Sequence, residues 1–166
     1  MSKKIVIDGL SQKNLSDAIR EVRKYKAWVE KKEAELRVRL ASLGATVASI
    51  QFSRAVYNGT NDVSVRVDST GSVAVIYAEG ESVAFIEFGS GSRYGYGHPV
   101  AGEHGMGPGT WSDGESGKGH WDNPKGWWYG HGQHSYGNPP AMAMYHAIQA
   151  MTDDITRIAK EVFSEA

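Results

Sequence analysis

Five of the six histidines (His98, His104, His120, His131 and His134) fall between residues 89 and 138, where 15 of the 20 glycines and four of the five tryptophans also sit. His131 and His134 form an H-x-x-H pair, the one spacing in the chain that suggests metal ligation. With no cysteine available, any site would have to be completed by carboxylates such as Asp113, Glu115 or Asp122. In a loop, however, a three-residue spacing does not place both rings on one face, and the pattern matches no metalloenzyme signature. Structural histidines are the simpler reading, and no cofactor is expected. Nucleophilic chemistry has residue types to draw on, Ser112, Ser116 or Ser135 beside a loop histidine, but no serine sits on a strand-to-helix elbow. Glu87, a lone charge in "FIEFG", is expected to accept hydrogen bonds from the loop that starts at Gly89. A catalytic carboxylate would want a second acid, and none is identifiable nearby.

Two glycine-rich stretches resemble phosphate cradles and fail on inspection. "GSGSRYG" follows a predicted strand but runs into more glycine and proline, not into the helix whose N-terminus would receive a pyrophosphate. "GESGKGH" has Ser112 where a phosphate loop needs its first glycine, and Gly119 where it needs a hydroxyl. The chemistry-bearing residues therefore point away from catalysis. What the block does carry is aromatic area, and Trp111, Trp121, Trp127, Trp128, Tyr129 and Tyr136 are the expected interface anchors.

Elements on either side must hold this block. From Ser11 to Leu43 there is no glycine or proline; Leu15, Val22, Val29, Leu36 and Leu43 recur every seven residues, and Gly44 reads as the helix stop. Such a helix would be about 50 Å long, more than a small domain can cover, so it kinks or reaches a neighbouring subunit. Glu33 to Arg37 and Glu35 to Arg39 are predicted ion pairs, and the excess of lysine and arginine on the polar face reads as a solvated surface in preference to a DNA-contacting stripe. "TVASIQFSRAVY", "DVSVRV", "SVAVIYA" and "SVAFIEF" alternate with period two and predict a four-stranded antiparallel meander; Val63, Val65 and Val67 should face the dry side, Ser64 and Arg66 the wet one. After Pro139 and Pro140 a last helix is expected, with Met144, Ile148, Met151, Ile155, Ile158 and Val162 as a continuous apolar seam.

The expected fold is thus α+β, one domain over residues 1–166, with a core from 1–88 and 139–166 and a long glycine and aromatic loop over 89–138. A net charge of −1 offers no global attraction to nucleic acid or anionic lipid. The opening MSKKIVIDGL has too short an apolar run for a signal peptide or membrane span.

This order of elements resembles the small neck proteins of tailed bacteriophages, also described as head-to-tail joining, tail completion or minor capsid proteins. Ala84, Phe85, Ile86, Glu87, Phe88, Gly89 and Ser90 match that family's A-[YF]-[VI]-E-F-G-[TS] strand end, and "IDGL" at 7–10 its entry to the first helix. Of its P-x-x-F-[LM]-x-x-A helix start, Pro140, Met144 and Ala147 match, with Ala143 in the aromatic's place. The resemblance implies a non-catalytic virion protein, assembled in the host cytoplasm into a homo-oligomeric ring. Its partners would be other neck, connector or tail proteins, with transient proximity to DNA and no membrane. A metal-dependent hydrolase using the loop histidines and a glycan-binding module using the loop aromatics are the rival expectations.

Overall fold

The computed structural model describes residues 11–91, 93–94, 97–104, 125–129 and 132–164. The fold is α+β, with a long N-terminal helix, a C-terminal helix and two small antiparallel sheets of two strands each. The described elements are α1 (Gln12–Ser53), β1 (Ser64–Asp68), β2 (Val75–Glu79), α2 (Val83–Phe88), a 3-10 turn (Ala101–His104), β3 (Trp127–Tyr129), β4 (Gln133–Ser135) and α3 (Ala143–Ser164). No helix among the described residues is long and apolar enough to cross a membrane.

The meander is corrected at both ends. Its expected first strand is the last part of α1, which runs for 42 residues, about 63 Å, through Gly44 without a break. Ala41, Gly44, Ala48 and Phe52 are all buried, at the three- and four-residue spacing of a helix face, whereas Thr46, Val47 and Ile50 supply the β-branched content that suggests a strand. Gly44 is there for close approach. A Cβ on it would lie 2.6 Å from Ile76 Cδ1 and 2.7 Å from Met151 Sδ, so the missing side chain lets α1 press against β2 and α3 together. The expected fourth strand, "SVAFIEF", is α2. Asp62 accepts hydrogen bonds from the first free amides there, Glu81 N–H at 2.6 Å and Ser82 N–H at 3.0 Å, and this cap makes a helical turn cheaper than a strand.

Only the central pair of expected strands forms a hairpin. Ser64 faces Glu79, Arg66 faces Tyr77 and Asp68 faces Val75. Val63 and Val65 pack on the core while Ser64 and Arg66 are exposed, as the alternation predicts; Val67, near the hairpin end, is exposed too. Arg66 grips Glu79 with two hydrogen bonds of 2.8 and 2.7 Å on the wet face.

α1 and α3 make the main packing contact and run antiparallel. Ala48 and Phe52 meet Ala143 and Ala147 at one end, and Trp28 meets Phe163 edge-on at the other. The small residues allow the helices to approach closely and leave few voids for larger neighbours to fill. The predicted Glu33–Arg37 and Glu35–Arg39 pairs both form, at 2.6 Å. The seam of α3 is not continuous, however. Ala143, Ala147, Ile158 and Val162 are buried, but Ile148 and Ile155 lie off that line and are exposed.

Two outcomes follow. Gly44→Ala should be tolerated, because the atoms it meets are ends of flexible side chains and alanine favours the helix; Gly44→Leu should cost about 1–3 kcal/mol in a urea titration by wedging three elements apart. The amides of Glu81 and Ser82 hold the Asp62 carboxyl below its ordinary value of 3.8. Its contribution is therefore fully present above that pH and lost as pH falls through the lower folded value. Thermal melts should show Asp62→Asn less stable than the parent at pH 7, with the gap closing towards pH 2.

Candidate interaction site: an aromatic hairpin on a clamped loop

The site begins at a buried carboxylate. Glu87, on α2, accepts from the Met144 amide at 2.9 Å through Oε2 and from the Tyr145 amide at 3.1 Å through Oε1. These are first-turn N–H groups of α3, which have no partner within the helix, so a residue 57 positions away in sequence serves as its cap. Met142, the residue before α3, takes a left-handed φ of 51° as the chain turns into that cap, a conformation that costs about 1–2 kcal/mol outside glycine. The backbone follows the same path: Ala141 N–H donates to the Ile86 carbonyl and Met142 N–H to that of Glu87. The expected partner of Glu87, the loop at Gly89, is thus replaced by the start of the last helix.

His98 completes the carboxylate's shell. Its Nδ1 accepts from the Val100 amide, which leaves Nε2 to carry the proton and donate to Glu87 Oε1 at 3.2 Å. Phe88 and Tyr145 pack on the imidazole at centroid distances of 4.6 and 5.7 Å, and both His98 and Glu87 are buried. A histidine and a glutamate in contact suggest acid–base chemistry, but every hydrogen-bonding atom of this pair has a structural partner and neither side chain reaches solvent.

Next to this cap the two ends of the loop are tied together. Ser90 and Asn138 form an isolated antiparallel bridge, each amide donating to the other's carbonyl, at 3.0 and 3.1 Å. The Asn138 side chain donates to Ser90 Oγ and accepts from the Asn58 amide, while Asn58 Nδ2 and the Gly137 amide both donate to Ser135 Oγ. Ser90, Ser135 and Asn138 are all buried, and with these partners they are satisfied. Gly89 at φ 77° and Gly137 at φ 102° let the two backbones come this close; a Cβ on either would run into the opposite strand. Ser135 is therefore part of the clamp, and its hydroxyl is not held for nucleophilic attack.

Above the clamp, β3 and β4 pair as a hairpin, an element the sequence reading does not place in this block. Trp127 faces Ser135 and Trp128 faces His134. Alternation along β3 separates the two tryptophans: Trp127 is half-buried over Gly91 at the loop base, whereas Trp128 is 72% exposed. The expectation of two equivalent anchors is corrected accordingly. On the outer face Trp128 meets His134 edge-on at 4.8 Å, His134 meets Tyr136 edge-on at 4.7 Å, and the Arg93 guanidinium lies 5.1 Å from the centroid of the Tyr136 ring. The result is a continuous outward surface of Trp128, His134, Tyr136 and Arg93, with Tyr136 itself 48% exposed. Arg93, the one cation of the rejected "GSGSRYG", joins the site through Tyr136 and could not have been found from spacing.

Trp111, Trp121, His131, the "IDGL" at 7–10 and the side chain of Tyr129 lie outside the described residues. No group of three or more metal-ligating side chains occurs among the described residues, and His134 there is packed between two rings. Of the residues carrying the family resemblance, Glu87, Gly89, Pro140 and Met144 meet at one junction, while Ala147 lies in the core and Phe85 lines a small pocket with Trp127 and Asn138.

Glu87→Ala should destabilise the fold by about 2–4 kcal/mol in denaturant, since it strands two helix amides and an imidazole N–H; Glu87→Gln, which keeps one acceptor, should cost less. Trp127→Ala should cost roughly 2–3 kcal/mol and Trp128→Ala less than about 0.5 kcal/mol by the same measurement, because only the first ring fills space inside. Compared with known proteins the chain has no match, neither to a protein-family model nor to a curated protein nor to a solved structure.

Proposed function

We propose that this chain is a structural subunit at the neck or tail end of a tailed-phage virion, joining head to tail by docking and ring assembly, without catalysis. The observation that carries this reading is the exposed aromatic surface of Trp128 and Tyr136, held on a hairpin whose base is clamped to the core. Tryptophan and tyrosine bury large areas at small cost in side-chain entropy, and a rigid support removes most of the remaining cost of docking. The resemblance to neck proteins supports the same reading, because Glu87, Gly89, Pro140 and Met144 form one physical unit, the joint between loop and last helix. The engaged state of Ser135, His98 and Glu87 favours a binding role over a hydrolytic one. A second reading uses the same face: an open indole beside a tyrosine and an arginine is also a surface on which a sugar ring stacks.

Trp128→Ala with Tyr136→Ala should leave the circular dichroism spectrum and unfolding midpoint near those of the parent while abolishing joining of heads to tails in an assembly assay. Normal yields of infectious particles from that variant would sink the neck reading. A glycan array bound by the parent and not by the variant would put the sugar-binding reading in its place.

A further inference from the structure

Two apolar surfaces on this chain have no partner within it, and they differ in shape. The first is convex. α3 ends where Phe163 meets Trp28, so the stretch of α1 before Trp28, about 24 Å of helix, projects beyond it. Leu15, Ile19 and Val22 line one side of this arm at i, i+4 and i+7, and they are 52%, 44% and 52% exposed. The second is concave. A groove of about 500 Å³ opens between α1, the β1–β2 hairpin and α3, lined by Leu40, Val73, Val75, Ile148 and Met151, with Arg37 as its one charged residue. Val73 and Ile148 in this groove are 60% and 59% exposed.

Arm and groove cannot meet within one molecule. Leu15 and Leu40 belong to the same continuous helix, about 38 Å apart, and that helix is also a wall of the groove. We propose that the arm of one copy docks in the groove of the next, Leu15, Ile19 and Val22 entering as the anchors of a helix-in-groove contact. The charges agree with this occupant: Asp17 and Glu21 lie on the arm beside the anchors, and Arg37 stands at the groove. Because the two surfaces are different, the contact is head-to-tail, which repeats from copy to copy and closes into a ring when the rotation allows. One such joint is smaller than the roughly 800 Å² per partner of a stable complex, so a free pair is weak and closure, in which every copy uses both surfaces, holds the assembly. The proposal deepens the ring-assembly reading and rests on it for where the ring sits, though not for the joint itself.

The chain has no cysteine, so single-cysteine variants read the joint directly. Val22→Cys and Ile148→Cys, both at exposed positions, are purified separately, checked for folding by circular dichroism, mixed at high protein concentration and oxidised with copper phenanthroline. A disulfide-linked pair of chains is expected in the mixture and absent with either variant alone. Cross-linking of Val22→Cys by itself to the same extent would put arm against arm and overturn the proposal, and so would no cross-link in any combination. Val22→Asp and Ile148→Asp should each abolish the concentration-dependent rise in sedimentation coefficient of the parent. A cross-linked mixture, with both Asp variants still joining heads to tails, leaves the joint standing and removes the neck reading. No cross-link, together with lost joining on Trp128→Ala and Tyr136→Ala, does the reverse.

Discussion

The structure depends on what satisfies the first amides of α3. A helix that starts in the interior needs hydrogen-bond acceptors there, and Ala143 and Met144 follow neither a serine nor an aspartate that could provide them locally. Glu87 provides them from another element, and the consequences spread outward. α2 must be helical and close enough to aim the carboxylate, Met142 must turn left-handed, and His98 must be drawn in to share the charge. Because α3 is the main partner of α1, the orientation of the largest packing surface is set at this one carboxylate. A negative charge at a helix N-terminus is also favoured by the helix dipole, so a buried carboxylate is stabilised there where an isolated one would not be.

The second constraint is the closeness of α1 to its neighbours. Ala41, Gly44, Ala48, Ala143 and Ala147 are small, so the helix pair gains its burial from backbone proximity, with Phe52 and Ile86 as the large fillers. Small residues at a crossing also explain why so many larger apolar side chains remain outside. Val73, Ile148 and Ile155 surround the crossing without being covered by it. The unburied area concentrates on the projecting part of α1, around the groove and on Trp128, three places separated along the molecule.

Much of the α-helical frame was legible in the sequence. Ser11 caps α1 as expected, its side chain accepting from Asn14 N–H, the ion pairs on the polar face form, and the double proline precedes α3. The failures have a common cause. "TVASIQFS" and "SVAFIEF" carry β-branched and aromatic residues that suit strands, but their neighbours in space make a helix better: Ile76 and Met151 at Gly44, Asp62 before α2. Such contacts are long-range and leave no periodic trace. The candidate site was legible in composition, as tryptophan, tyrosine and histidine among glycines, yet not in geometry. That Trp127 points in and Trp128 out depends on the pairing with His134 and Ser135, and Arg93 reaches the same face only through Tyr136.

The bridge between Ser90 and Asn138 bears on how such a chain can change over generations. Both ends of the intervening segment are fixed by buried hydrogen bonds that belong to the core, so the core does not sense what lies between them. Closing a longer excursion costs only about 0.6 kcal/mol for each doubling of its length. The clamp therefore works as a cassette boundary: the segment it encloses can be lengthened, shortened or exchanged for one of different specificity, while the helices that build the body keep their places.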